Sequence, residues 1–316
     1  MFSELDGGVK GALERALKYG NLQYKILCAL FDKMGYSNHE LQDLEVRNRV
    51  YRYLKKHYSV FLSNSNYENK DSGETSNKVW ICWLQGIENA PDIVKVCYQS
   101  IKKWMPDKEI CILDQSNLFE YVQLPDYVIR KWEKGIISNT LFSDFIRLSV
   151  LTRFGGIWVD ATVFMTGKLP QCISCSDFFV YQSNEYDITK VGESWFIKAN
   201  SHNRILQTTL DLMNEYWRKE DKIRDYFIMF IFMKMARDKY PMDMKDMYKV
   251  PAAIPIMMQK YLDKEYDAKM FESICKISSV HKLTYKLRND NNVKHTLSEM
   301  IVRMLDVGNI AGENIT

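Results

Sequence analysis

A strand–helix–strand pattern over residues 78–114 constrains the fold more than any other feature of the sequence. "KVWICWL" is typical of a buried strand, "APDIVKVCYQSIKKWMP" of a helix bounded by Pro91 and Pro106, and "EICILD" of a second buried strand. Two buried strands joined by a helix form a βαβ unit, which indicates a mostly parallel sheet. We therefore expect an α/β fold whose ligands bind beyond the carboxyl ends of the strands, near Gln85, Gly86 and Asp114.

The chain divides into two predicted parts. Residues 9–62 show helical periodicity with basic residues between the apolar ones, and the polar stretch 63–77 is typical of a linker. We predict a helical module with its linker over residues 1–75 and the α/β domain over 76–316. The basic helical side is compatible with an anionic membrane surface, with a partner, or with a solvated face, which is the commonest case.

Composition excludes several classes of function. The 316 residues are 46% hydrophobic, enough for a real core, and the net charge of +3 without a dense Lys/Arg run argues against nucleic-acid binding. The N-terminus is too charged for a signal peptide, and no run reaches the ~18 apolar residues of a membrane span. Seven scattered cysteines indicate a reducing compartment, so we expect a soluble, cytoplasmic protein.

The segment "SDFIRLSVLTRFGGIWVDATVF" contains the strongest candidates for functional residues. It is typical of a helix capped by Ser143, a Gly-Gly turn and a buried strand ending in Asp160. Asp144 and Arg147 share one helix face, either as an intrahelical ion pair or as polar groups aimed at the pocket of Asp160. Paired glycines permit positive φ or a close backbone approach, which would bring this helix beside the strand.

A buried carboxylate at a strand end needs a partner, because an unpaired one is costly to bury. Mg²⁺ and Mn²⁺ prefer carboxylate oxygens and bridge them to diphosphates, so Asp160 is a candidate metal ligand. His281 is a candidate second ligand, although a lone histidine is more often structural, and Lys282 beside it could reach a phosphate.

These residues resemble a known family. "WICWLQG", the segment from Ser143 to Phe164, "ESWFIKA", "DYF" and "VHKLTYK" occur in this order in the capsular polysaccharide synthesis glycosyltransferases. These are relatives of the DXD-containing sugar transferases, which include yeast-type α-mannosyltransferases and the large clostridial glucosylating toxins. The resemblance covers residues 78–287 and does not extend to residues 1–75.

The resemblance implies a GT-A fold, a nucleotide-sugar donor that is expected to be a UDP-sugar, and Mn²⁺ or Mg²⁺. It implies retention of anomeric configuration and transfer to a polysaccharide or lipid-linked oligosaccharide, with possible peripheral association at the inner face of the plasma membrane. The residues carried over comprise the first DXD aspartate Asp160, the acceptor-contacting Asp225, the donor-binding residues Trp83, Gln85, Gly86, Asp144, Arg147, Trp158, Thr162, Ser194, Trp195 and Lys282, and the metal ligands Asp160, Thr162 and His281.

The sequence departs from a full DXD motif at Thr162, where a second carboxylate would stand. A hydroxyl is a weaker, neutral ligand, so the departure bears on metal binding. The form Asp-Ala-Thr resembles the usual pattern of the capsular branch and does not indicate inactivation. Two other classes remain open: a nucleotide-sugar hydrolase or nucleotidyltransferase, and an inactive sugar-nucleotide-binding scaffold of a capsule assembly complex.

Overall fold

The computed structural model describes residues 22–35, 39–68, 76–184, 186–287 and 295–306. Its central feature is a five-stranded sheet made of β1 (Lys78–Cys82), β2 (Glu109–Leu113), β3 (Gly156–Val159), β5 (Phe178–Val180) and β6 (Phe196–Ala199). The strands lie in the order β2-β1-β3-β6-β5, and β6 is antiparallel to the other four. A second sheet pairs β4 (Val163–Met165) with β7 (Val280–Lys282) in antiparallel register.

Thirteen α-helices lie in the part of the chain that the structure describes. They are α1 (Leu22–Lys33), α2 (His39–His57), α3 (Ser59–Asn64), α4 (Asp92–Trp104), α5 (Leu118–Tyr121), α6 (Asp126–Glu133), α7 (Asn139–Phe154), α8 (Gln171–Ser174), α9 (Arg204–Lys219), α10 (Ile228–Lys239), α11 (Ala253–Ile256), α12 (Ala268–Ile277) and α13 (Leu297–Asp306). None of the helices assigned here is long and apolar enough to cross a bilayer.

The predicted α/β architecture is confirmed. β1 and β2 are parallel neighbours joined through α4, which begins directly after Pro91. β3 extends the parallel set on the other side of β1. The sheet positions the end of β3 next to the end of β1, so the two loops that follow them face the same space.

The helix before the Gly-Gly turn begins earlier than predicted. Ser138, rather than Ser143, is the N-cap residue of α7, and its side chain accepts a hydrogen bond from the Leu141 amide. Ser143 lies within the first turns and donates to the Thr140 carbonyl. The helix is buried over most of its length, because it packs between the sheet and α9 rather than at the surface.

The N-terminal helices share the interior of the α/β domain. Leu54 and Tyr58 are buried in the same apolar cluster as Trp80 of β1 and Tyr216 of α9. A division at residue 75 therefore does not separate two hydrophobic cores. The part of the predicted helical module before residue 22 lies outside the described residues.

One arginine of α2 binds two buried carboxylates of the α/β domain. Arg47 forms an ion pair with Asp187, and its Nε lies 3.8 Å from Oδ1 of Asp225. The guanidinium also lies 4.3 Å from the ring centroid of Phe227. Side-chain exposure is 13% for Arg47, 6% for Asp187 and 13% for Asp225. The N-terminal helices are thus fixed to the domain by charge as well as by apolar packing.

Replacing Arg47 by Met should lower the free energy of unfolding by about 3 kcal/mol, because removal of one partner leaves buried carboxylates uncompensated. Chemical denaturation measures this loss. Arg49→Met on the same helix is the matched control: Arg49 is 44% exposed and pairs with Glu45 at i,i+4, so it should cost less than ~0.5 kcal/mol. Adding Asp187→Asn to Arg47→Met should recover stability, and further loss would contradict this account.

Candidate active site

A cleft of about 570 Å³ opens beyond the carboxyl ends of β1 and β3. It is lined by the following residues: Cys82, Trp83, Leu84, Gln85, Asn89, Asn139, Thr140, Ser143, Arg147, Trp158, Asp160, Ala161, Thr162, Tyr226, Lys282, Leu283, Thr284, Tyr285 and Lys286. Among these described residues, three are cationic and one is a carboxylate, so the cleft favours an anionic ligand.

The Gly-Gly turn sets the position of the cleft's main helix. Gly155 and Gly156 have φ of 65° and 103°, in the region that favours glycine. A Cβ on Gly155 would lie 2.6 Å from the Ser201 amide nitrogen, and one on Gly156 would lie 2.4 Å from the Lys78 carbonyl oxygen. Both glycines are therefore required for the chain to pass from α7 into β3, as the sequence predicted.

Arg147 joins two carboxylates at the floor of the cleft. Its Nη1 donates to Asp144, three residues earlier on α7, and its Nη2 lies 3.3 Å from Oδ1 of Asp160. Asp144 is 6% exposed, and burial raises its pKa to about 6, against the lowering effect of Arg147. The sequence left open whether Asp144 and Arg147 form an intrahelical pair or face Asp160; Arg147 does both.

Asp160 is held by the backbone as well as by side chains. Its amide donates to the Trp195 carbonyl at 2.8 Å, and its own carbonyl accepts from the Val163 amide in the turn that leads into β4. Its Oδ1 also accepts from the Trp158 indole at 3.0 Å. The Asp160 side chain is 27% exposed and lines the cleft.

Lys282 approaches the same carboxylate from the second sheet. Its Nζ lies 3.6 Å from Oδ2 of Asp160 and donates to the Thr162 hydroxyl. The register Val163↔Lys282 between β4 and β7 aligns the two segments, and the Leu283 amide donates to the Thr162 carbonyl at 2.8 Å. Both ligands predicted at the DXD position therefore contact one ammonium group.

An aromatic pair forms another part of the cleft lining. Trp83, directly after β1, meets Tyr285 edge-to-face with ring centroids 5.5 Å apart. The Trp83 indole nitrogen is buried and has no hydrogen-bond partner among the described residues, so it is not accessible to a ligand in the cleft. The aromatic surface of the pair is what a base or sugar can pack against.

The structure brings seven of the predicted site residues to the cleft: Trp83, Gln85, Arg147, Trp158, Asp160, Thr162 and Lys282. Asp144 lies directly behind Arg147. Ser194, Trp195 and Gly86 do not line it. Trp195 stacks on Tyr181 and acts on Asp160 only through its carbonyl oxygen. Gly86, with φ of 82°, shapes the loop that carries Gln85.

The structure places two further predicted residues, His281 and Asp225, outside the cleft lining. His281 is fully buried on the opposite face of β7 from Lys282, with Nε2 2.9 Å from the Thr166 hydroxyl; burial lowers its pKa to about 4, so it is neutral at pH 7. Asp225 accepts from the Phe227 amide at 2.7 Å and lies near Arg47, outside the cleft lining. Its neighbour Tyr226 lines the cleft instead.

Sequence reasoning missed several lining residues. Asn139, Thr140, Tyr226, Tyr285 and Lys286 reach the cleft from three separate segments. Tyr226 and Tyr285 lie inside "DYF" and "VHKLTYK", two of the segments that carry the family resemblance, and this is the signal that could have found them. Asn139 and Thr140 depend on the earlier start of α7, which the sequence did not reveal.

The cleft residues fit a divalent ion only if water and substrate supply most of its ligands. No group of three or more His, Cys, Asp or Glu side chains converges as metal ligands within the described ranges. A site built wholly from protein ligands is therefore not present there. Asp160 suits an ion that takes one protein carboxylate and completes its shell with water and substrate phosphate, which is usual for Mg²⁺.

The sequence profile described as "Capsular polysaccharide synthesis protein" matches residues 33–301. The chain belongs to this family. The match begins well before residue 78 and includes α2 and α3, in agreement with the shared core. The matched range therefore contains the residues of the Asp160 cleft and the helix that carries Arg47.

Glycosyltransferases are found among the similar proteins. O-glycosyltransferase braB from Annulohypoxylon truncatum is 22% identical over 226 residues, which cover 64% of this chain. The aligned region spans about half of that relative, 52% of its length. The solved structure "PaToxG Glycosyltransferase" superposes with a TM-score of 0.36 and 14% identity, covering 76% of this chain and 100% of that chain.

The raised pKa of Asp144 predicts a pH dependence of stability. An unfolded aspartate titrates near ~3.9, so between that pH and about 6 the folded protein binds more protons at Asp144 than the unfolded chain does. Its contribution to stability therefore rises as pH falls through this window. Denaturation at pH 7 and 4.5 should show wild type gaining stability relative to Asp144→Asn on acidification; a relative loss would contradict the raised pKa.

Proposed function

We propose that this chain is a glycosyltransferase that moves a sugar from a nucleoside diphosphate sugar, expected to be a UDP-sugar, to a capsular or other surface glycan. The observation that carries the proposal is the placing of Asp160, Arg147 and Lys282 together in a cleft at the carboxyl ends of β1 and β3. Two cations flank one partly exposed carboxylate there, and this arrangement suits a diphosphate with its counter-ion. Membership of the capsular synthesis family supports the same class of reaction.

The cleft offers a division of roles for donor binding. Trp83 and Tyr285 provide aromatic surface for the base or ribose, and Arg147 and Lys282 face the diphosphate. Asp160 would hold Mn²⁺ or Mg²⁺, which supplies positive charge against the leaving diphosphate. Arg147 is fixed by Asp144, so its guanidinium is preorganised for an anion or a sugar hydroxyl.

We propose retention of anomeric configuration. An inverting transferase needs a general base beside the acceptor hydroxyl, and Asp160 is the sole carboxylate among the described lining residues, which include no histidine. Asp160 itself already accepts from Arg147 and Trp158. In a retaining transfer the bond from the anomeric carbon to the diphosphate breaks, the acceptor oxygen bonds that carbon on the same face, and a leaving phosphate oxygen takes the hydroxyl proton.

The decisive experiment is nucleoside diphosphate release from a panel of UDP- and GDP-sugars with Mn²⁺ and then with EDTA. We expect release from one donor, lost on chelation and stimulated by an acceptor glycan. Asp160→Asn should reduce release by on the order of 100-fold or more while the fold is kept. Near-wild-type release by this variant would reject the role of Asp160.

Asp114→Asn is the matched control, because Asp114 follows β2 at an equivalent strand end but accepts from Ser116 outside the cleft lining. It should release at the wild-type rate. Acceptor-independent turnover alone would favour a hydrolase. Binding of a nucleoside diphosphate without turnover, across donors, metals and acceptors, would favour an inactive scaffold.

Peripheral membrane association is also proposed, through α1. Ile26, Leu27, Leu30 and Phe31 repeat at helical spacing and are 46–54% exposed, and Lys33 follows in the last turn. Such a face suits insertion at an anionic bilayer surface.

Leu30→Asp should reduce co-sedimentation with vesicles containing anionic lipid, because it places a charge on this apolar face. Val60→Asp is the control, since Val60 is also an exposed apolar residue, at 71% against 51% for Leu30, but lies on α3. Equal binding of both variants and wild type would exclude α1 as the membrane contact.

A further inference from the structure

The ammonium of Lys282 lies where a divalent ion would have to bind. It donates to the Thr162 hydroxyl and lies 3.6 Å from Oδ2 of Asp160. Those two oxygens are the DXD-position ligands of this chain. One cationic group therefore already bridges them.

A metal ion and this ammonium cannot share the position. A bound Mg²⁺ lies about 2.1 Å from its carboxylate oxygen, which would leave it within a few ångströms of the lysine nitrogen. Two cations at that separation repel strongly, more so in a partly buried site than in water. Asp160 is the sole lining carboxylate that the structure describes, so it offers a single negative charge for which both cations compete.

Arg147 is the other cation that pairs with Asp160, and it cannot move away from the carboxylate in the same manner. Arg147 is held by Asp144 on its own helix, and its side chain is 6% exposed. Lys282 is 20% exposed, and its flexible four-carbon stem can turn toward the open cleft without disturbing β7. Lys282 is therefore the group able to move when an anion enters.

We infer that Lys282 occupies the metal position in the donor-free protein and that metal exchanges with it when a diphosphate binds. The ammonium then pairs with a phosphate oxygen, and the divalent ion takes its place at Asp160 and Thr162. The inference rests on the proposed binding of a nucleoside diphosphate at this site. Its consequence is that metal binds weakly alone and much more tightly with the nucleotide, and the converse must hold by linkage.

Titration of Mn²⁺ followed by the electron paramagnetic resonance signal of the free ion tests this exchange without any turnover. Wild type and Lys282→Met are each titrated alone and with saturating UDP or GDP. We expect Lys282→Met to bind Mn²⁺ at least tenfold more tightly than wild type in the absence of nucleotide. The enhancement of Mn²⁺ affinity by nucleotide should fall at least tenfold in the variant.

Lys286→Met is the matched control, because Lys286 lines the same cleft but makes no ion pair with Asp160 among the contacts of the described residues. It removes the same charge and should raise Mn²⁺ affinity much less than Lys282→Met does. An equal rise of Mn²⁺ affinity in both variants would show that the effect comes from net charge alone and would overturn the exchange.

Unchanged or weaker Mn²⁺ binding by nucleotide-free Lys282→Met would also overturn it. Failure of the proposed function has a different signature: neither UDP nor GDP binds to wild type. The nucleotide-free titrations would still decide whether Lys282 competes with the ion. Circular dichroism spectra of the variants confirm that each compared protein is folded.

Discussion

The crossing of two backbones at Gly155 and Gly156 is the constraint on which the site depends. The Lys78 carbonyl and the Ser201 amide leave no room for a side chain at this turn. Because the chain turns so sharply, α7 runs back alongside β3, and Arg147 comes within reach of Asp160 although 13 residues separate them. A larger residue at the turn would separate the helix from the strand and remove the guanidinium from the carboxylate.

Much of this arrangement could be predicted from the sequence. The βαβ unit, the Gly-Gly turn and the convergence of Arg147 with Asp160 follow from local apolar patterns and from the backbone freedom of glycine, which has no Cβ. Strand direction did not follow in the same way: β6 is an apolar segment like its neighbours, and nothing in its residues reveals that it runs antiparallel. The start of α7 was also misplaced, because Ser138 and Ser143 are equally good capping residues.

The remaining differences between the sequence-based predictions and the structure concern residues whose position depends on contacts between distant segments. The segment "SVHKLTYK" contains two candidate cleft residues, and only its pairing with β4 decides that Lys282 faces the cleft while His281 faces the interior. A shift of one residue in that register would exchange them. Asp225 is similar, since its ion-pair environment depends on a helix 178 residues earlier in the chain. Local composition does not predict how distant segments pair or in which register.

The shared interior of α2, α3 and the α/β domain has a consequence for substitutions in these helices. Leu54 and Tyr58 are buried in the same apolar cluster as Trp80 and Tyr216, and Arg47 neutralises carboxylates beside the turn that carries Tyr226. The helices α2 and α3 are therefore not a separable segment, because their buried residues complete the interior of the α/β domain. A substitution at Arg47, although this residue lies outside the cleft, would leave two carboxylates uncompensated next to Tyr226 and so affect the cleft lining.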